Sequence, residues 1–134
     1  MYLLDEQFSP DLVIRLQEFG EPFSLIYSIY DVFGPSTKDE PLIPLIVEKN
    51  LILVTRDRKM RNKRGKNGHY FILKEYDLRV LFLPNSCDDM KLFEQMAFFT
   101  RYWVEIHEQV MASTARLANI TATGRVITFM ETYL

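Results

Sequence analysis

Two short apolar runs do most to constrain how this chain can fold. Residues 51–55 read Leu51-Ile52-Leu53-Val54-Thr55, and residues 78–83 read Leu78-Arg79-Val80-Leu81-Phe82-Leu83. Both are too short for a helix of ordinary length, and neither alternates apolar with polar. A strand with that pattern is buried on both faces, as strands of a parallel sheet are. Parallel strands need crossover connections, so helices are expected between them.

The rest of the chain supplies those helices and more strands. Residues 1–4 are apolar and stop at Asp5-Glu6, which predicts a buried first strand ending in acids. Ser9 before Pro10 is a helix start, and Leu12, Val13, Leu16 and Phe19 recur at helical spacing until Gly20. Residues 23–30, rich in aromatic and β-branched side chains, predict a second strand. Residues 31–38 contain Gly34, Pro35, Ser36 and Thr37 and read as a loop. A second helix is expected from about 37–39 to 49, with Pro41 tolerated in its first turn and Pro44 bending or tightening its start.

After the strand at 78–83, Ser86 or Asp88 can cap a helix beginning at about residue 89. Leu92, Phe93, Met96, Phe99 and Trp103 supply its apolar face. The stretch to Met111 exceeds an average helix, so a break is expected near Tyr102. Trp103, with Phe98, Phe99 and Tyr102, reads as core or as the face of a homodimer. A last short strand is expected at 125–129, after Gly124. The alternation of strands and helices predicts one α/β domain over residues 1–134. Its expected form is a three-layer α/β/α sandwich with a mainly parallel central sheet.

Charge is sorted along the chain, not mixed. The 18 acids and 16 bases give a net −2, which by itself argues against a globally basic nucleic-acid binder. Residues 1–55, however, hold nine acids against three bases, and residues 56–79 hold nine bases against three acids. Seven of those bases, Arg56, Arg58, Lys59, Arg61, Lys63, Arg64 and Lys66, fall within eleven positions. They suit backbone phosphates better than base edges, and His69 and Tyr70 could stack on a single strand. The bland alternative is a solvated loop that offsets the acidic first block.

In open parallel sheets the ligand site lies outside the carboxyl ends of the strands. Three groups of acids fall there: Asp5-Glu6 after the first strand, Asp57 two residues after the third, and Asp39-Glu40 at the start of the helix feeding the third. Each acid alone could simply favour a helix N-terminus. If the first and third strands are neighbours, the carboxylates converge, repel one another, and are relieved by a divalent cation. Hard oxygen ligands suit Mg²⁺ or Mn²⁺. His107 reads as a helix-surface or core-edge residue and the single Cys87 as inert. No glycine-rich phosphate loop, nucleophile elbow or Cys/His metal spacing occurs in the sequence.

Three segments together resemble the PIN-like domain superfamily, in the shorter branch containing VapC-type toxin relatives. They are Leu3-Leu4-Asp5-Glu6-Gln7-Phe8-Ser9-Pro10, then Asp39-Glu40-Pro41-Leu42-Ile43, then Ile52-Leu53-Val54-Thr55-Arg56-Asp57. The order of a basic stretch, a strand and a tryptophan-bearing helical region is also similar to one toxin subgroup. The resemblance implies a Mg²⁺- or Mn²⁺-dependent endoribonuclease, the toxin of a toxin–antitoxin pair. It implies Asp5, Asp39 and Asp57 as metal ligands, Glu6 and Glu40 as auxiliary acids, and Thr55 as the residue orienting Asp57 or a metal-bound water. Full-length members place a further acid on a helix before the second ligand; Asp31 is the candidate here. Expected partners are RNA, an antitoxin protein whose acidic segment covers the basic stretch, and a second copy of the chain. The alternatives are a degenerate PIN-like module that binds RNA or protein without cutting, and a purely structural subunit. A lone cysteine, no membrane-spanning run and acids where an export signal would carry bases make the cytoplasm the expected compartment.

Overall fold

The computed structural model describes residues 1–5, 7–34, 39–56 and 77–128, the side chains at 39–43 and 128 excepted. The described residues form a six-stranded sheet: β1 (Tyr2–Leu4), β2 (Ile26–Ser28), β3 (Ile52–Thr55), β4 (Val80–Phe82), β5 (Leu117–Ile120) and β6 (Val126–Thr128). The order across the sheet is β2-β1-β3-β4-β5-β6. All neighbours are parallel except β6, which pairs antiparallel with β5 at the edge. Among the described residues the α-helices are α1 (Pro10–Gln17), α2 (Ile29–Phe33), α3 (Asp39–Glu48) and α4 (Leu92–Met111).

The three layers follow from side-chain alternation along each strand. Tyr2, Leu4, Ile52, Val54, Leu81 and Ala118 face one way and pack with α1 and α4 through Leu12, Leu16, Phe99 and Trp103. Leu3, Leu53, Val80, Phe82 and Leu117 face the other way and pack with Ile29 and Ile46 from α2 and α3. This is the expected α/β/α sandwich, and the double burial explains why the strands carry no polar alternation. Trp103, fully buried, lies in the core rather than on an open face. Its ring meets Tyr2 edge-on at 4.5 Å, and its Nε1–H donates to the Pro22 carbonyl at 3.1 Å. Cys87 is buried and forms no disulfide.

Several elements differ from expectation for identifiable reasons. The strand expected over 23–30 is only three residues long. A 3₁₀ turn, Phe23–Leu25, precedes it, and the Ser28 hydroxyl accepts the Tyr30 N–H at 3.2 Å and starts α2 where the loop was expected to open. Gly34, at φ +81°, closes α2. α1 stops at Gln17, which leaves Phe19 beyond the helix and exposed.

The break expected near Tyr102 is absent, and α4 runs through 20 residues. No Gly or Pro interrupts it, and Phe99, Trp103, Ile106 and Val110 keep one stripe buried in phase. Neither Ser86 nor Asp88 caps it. The cap is Lys91, whose N–H donates to Glu94 Oε1 at 3.2 Å, while Ser86 belongs to a 3₁₀ turn, Asn85–Cys87. Phe93, expected on the apolar face, is 69% exposed.

Strand β5 was not anticipated, and β6 lies within the strand expected at 125–129. The hairpin between them is held by Gln109, whose Oε1 accepts Val126 N–H at 2.9 Å and whose Nε2 donates to the Gly124 carbonyl at 3.0 Å. Gly124 sits at φ +79°, and a Cβ there would stand 2.8 Å from the Tyr102 side chain, so this position admits only glycine without movement. Among the described residues no helix is long and apolar enough to cross a membrane.

Candidate functional site at the carboxyl edge

The strand order creates a crevice. From β1 the chain crosses to β2 on one side and then returns to β3 on the other. The loops leaving β1 and β3 therefore diverge, and such a switch point is where open α/β sheets bind ligands. The first residue after β1 is Asp5, and the first two after β3 are Arg56 and Asp57.

Register brings Asp5 opposite Thr55. Leu4 pairs with Val54 in the parallel ladder, and the Asp5 N–H continues it to the Val54 carbonyl at 3.3 Å. Thr55 is fully buried, and its hydroxyl donates to Asp5 Oδ2. The other oxygen, Oδ1, accepts the Gln7 N–H at 3.0 Å, an Asx-type turn that the Phe8 N–H reinforces by donating to the Asp5 carbonyl at 3.2 Å. The carboxylate is thus gripped at both oxygens and its plane is fixed. Thr55 was expected to orient Asp57 or water; its donation to Asp5 is a partner the sequence did not indicate.

Arg56 turns its guanidinium back onto the protein. One terminal nitrogen donates to the Cys87 and Asp88 carbonyls at 2.9 and 3.1 Å, and the other to the Gln7 carbonyl at 2.8 Å. The charge sits 5.0 Å above the Phe8 ring, and Nε is buried without a hydrogen-bond partner among the described residues. Arg56 therefore ties the turn after β1 to the turn after β4. Nothing in the sequence signals this, because the three acceptors are backbone carbonyls 31 to 49 residues away.

The remaining candidates divide in two. Asp39 is the first residue of α3, whose C-terminal end leads through Lys49 and Asn50, the latter at φ +54°, straight into β3. The N-terminal end of α3 therefore lies toward the carboxyl edge, as does the exposed Asp31 in the first turn of α2. The side chains of Asp39 and Glu40 lie outside the described residues, and so do Glu6, Asp57, Arg58, Lys59, Arg61, Lys63, Arg64, Lys66, His69 and Tyr70. Among the described residues no three His, Cys, Asp or Glu side chains gather closely enough to hold a metal ion. Asp5, with its two oriented hard oxygens, fits one position of the donor set that Mg²⁺ or Mn²⁺ takes.

The opposite edge has different chemistry. A cavity of about 310 Å³ lies there, lined in part by Met1, Asn50, Asp77, Arg79, Met111 and Arg116. Arg116 and Asp77 form an exposed ion pair at 2.8 Å. Arg79 donates to the Val110 and Ser113 carbonyls at 2.7 and 2.9 Å, closing the C-terminal end of α4. Burial lowers the Arg79 pKa from its usual value. Beside it, burial pushes the Tyr2 phenol up to about 12, with the Arg79 charge opposing. The Tyr2 hydroxyl is 2.7 Å from His107 Nδ1, which places this histidine at the core edge as expected.

A mainly parallel α/β sheet with an oriented aspartate at its switch point defines the class: an α/β protein with an acid-bearing crevice. Within that class, a family model described as a PIN like domain matches residues 1–85. The chain belongs to the PIN-like domain family. No curated protein and no solved structure matches it. The match spans β1 through the start of the turn after β4 and leaves α4, β5 and β6 outside.

Proposed function

We propose that this chain is a Mg²⁺- or Mn²⁺-dependent endoribonuclease, the toxin of a toxin–antitoxin pair. The observation that carries the reading is Asp5, gripped at both oxygens in the crevice between β1 and β3 of a PIN-like fold. Asp5, Asp39 and Asp57 would hold the cation, with Glu6 and Glu40 as auxiliary acids. When bound, the cation supplies Lewis-acid stabilisation of phosphate charge and a more acidic water.

The protein's own groups do the rest. Thr55 and the Gln7 N–H hold the Asp5 carboxylate in one orientation, so no reorganisation is needed as a ligand arrives. The bases at 58, 59, 61, 63, 64 and 66 would neutralise phosphates on either side of the scissile bond. An antitoxin with an acidic segment would compete for the same bases and block entry.

The test is cleavage of a labelled single-stranded RNA with Mn²⁺. Asp5→Asn and Asp57→Asn should each lose at least a hundredfold in rate while remaining folded by circular dichroism. Wild-type protein that cuts nothing with any divalent ion, yet binds RNA in chelator with strong salt dependence, would sink the nuclease reading and establish the binding-module alternative. The toxin assignment is checked separately. Expression should arrest growth, and a small protein encoded alongside should relieve the arrest.

A further inference from the structure

We propose that Arg56 is a positioning residue for Asp5 and not one of the phosphate contacts among which its sequence neighbours place it. The inference rests on the metal-nuclease reading of the same edge. The chain of contacts is short and continuous. The guanidinium holds the Gln7 carbonyl at 2.8 Å, and the Gln7 N–H holds Asp5 Oδ1 at 3.0 Å. The same guanidinium anchors to Cys87 and Asp88 carbonyls in the turn after β4. Its backbone neighbour Thr55 holds the second Asp5 oxygen. One residue therefore fixes the turn that supplies one donor and follows directly on the residue that supplies the other. Stacked over Phe8, the guanidinium has its terminal nitrogens committed to protein carbonyls, which is poor geometry for reaching a phosphate.

Three carbonyls on two separate turns need a planar fork. Lysine, a point charge on a flexible stem, cannot reproduce that pattern. The proposal therefore separates charge from shape. Arg56→Lys and Arg56→Gln should both weaken Mn²⁺ binding to the full chain about tenfold or more, as loss of an outer partner of a metal ligand does. Both should also speed hydrogen exchange at the Gln7 amide in metal-free protein. RNA affinity in chelator should keep the wild-type salt slope in both variants.

A phosphate contact behaves oppositely. Arg56→Gln would make the salt slope shallower by about one, Arg56→Lys would restore it, and Mn²⁺ affinity would stay unchanged. That result overturns the proposal. So does a Gln7 amide as protected in both variants as in wild type, a measurement that needs neither metal nor activity. Wild-type protein that binds no Mn²⁺ fails a different claim, the metal reading itself, and with it the use proposed here for the clamp. The Gln7 exchange rates then still show whether the clamp exists.

Discussion

Each edge of the sheet carries an arginine that bonds backbone carbonyls from distant elements, and the two arginines serve different ends. At the amino edge Arg79 closes a helix terminus, beside a buried tyrosine and an exposed ion pair. At the carboxyl edge Arg56 closes two turns, one of which grips a carboxylate. Both guanidinium groups leave a buried Nε without a hydrogen-bond partner among the described residues. The shared device is a planar cation that staples loops from within. What differs is what lies next to the stapled backbone: a helix end at one edge, an oriented acid at the other. The amino edge is therefore expected to matter for stability and the carboxyl edge for ligand chemistry.

That contrast can be broken by experiment. The largest stability effect should come from Arg79→Ala, which strands the Val110 and Ser113 carbonyls. A loss of about 2–3 kcal/mol in chemical denaturation is expected, with Mn²⁺ affinity unchanged. A change in Mn²⁺ affinity would erase the distinction between the edges. Thr55→Val keeps shape but removes the hydroxyl that Asp5 accepts from. It should cost about 1 kcal/mol in stability and yet weaken Mn²⁺ binding roughly tenfold.

The next effect is a slope against pH. Tyr2 has a folded pKa of about 12 against an ordinary 10. Between those values the unfolded chain gives up the phenol proton and the folded chain keeps it, so stability should fall as pH rises from 10 toward 12. Tyr2→Phe should flatten that slope in alkaline melts; an unchanged slope would remove Tyr2 from the account. The smallest effect belongs to Phe93→Ser, within about 0.5 kcal/mol, because the ring is mostly in solvent.

The sequence was most legible where burial is double-sided. Strands β1, β3 and β4 fell within their apolar runs because every position in them faces a helix layer. The run at 23–30 misled because Ile29 and Tyr30 are apolar for a different reason: they pack the same sheet from α2. β5 was missed because Ala118 and Asn119 interrupt it, and its burial comes from neighbours supplied elsewhere in the chain. Average helix length is not a breaker, so α4 continued where its apolar stripe stayed in phase. At the site, the edge position of Asp5 followed from the apolar run that ends at it, while its bond from Thr55 depends on the register of β1 against β3. The clamp by Arg56 did not, since hydrogen bonds to remote carbonyls leave no pattern in residue types.

One feature of α4 bears on how the chain could be cut. The family match ends at residue 85, yet Trp103 and Phe99 pack on Tyr2 and Phe8 from beyond that limit. A fragment ending at residue 85 would keep α1 on the face carrying Tyr2, Leu4, Ile52 and Val54 but lose α4, baring the part of that face that Phe99 and Trp103 cover. Such a slab would be a sticky intermediate, prone to stack on its own kind. The family portion is thus recognisable alone but not portable alone, and a transplant of the acidic crevice to another scaffold would have to carry a substitute for the tryptophan helix.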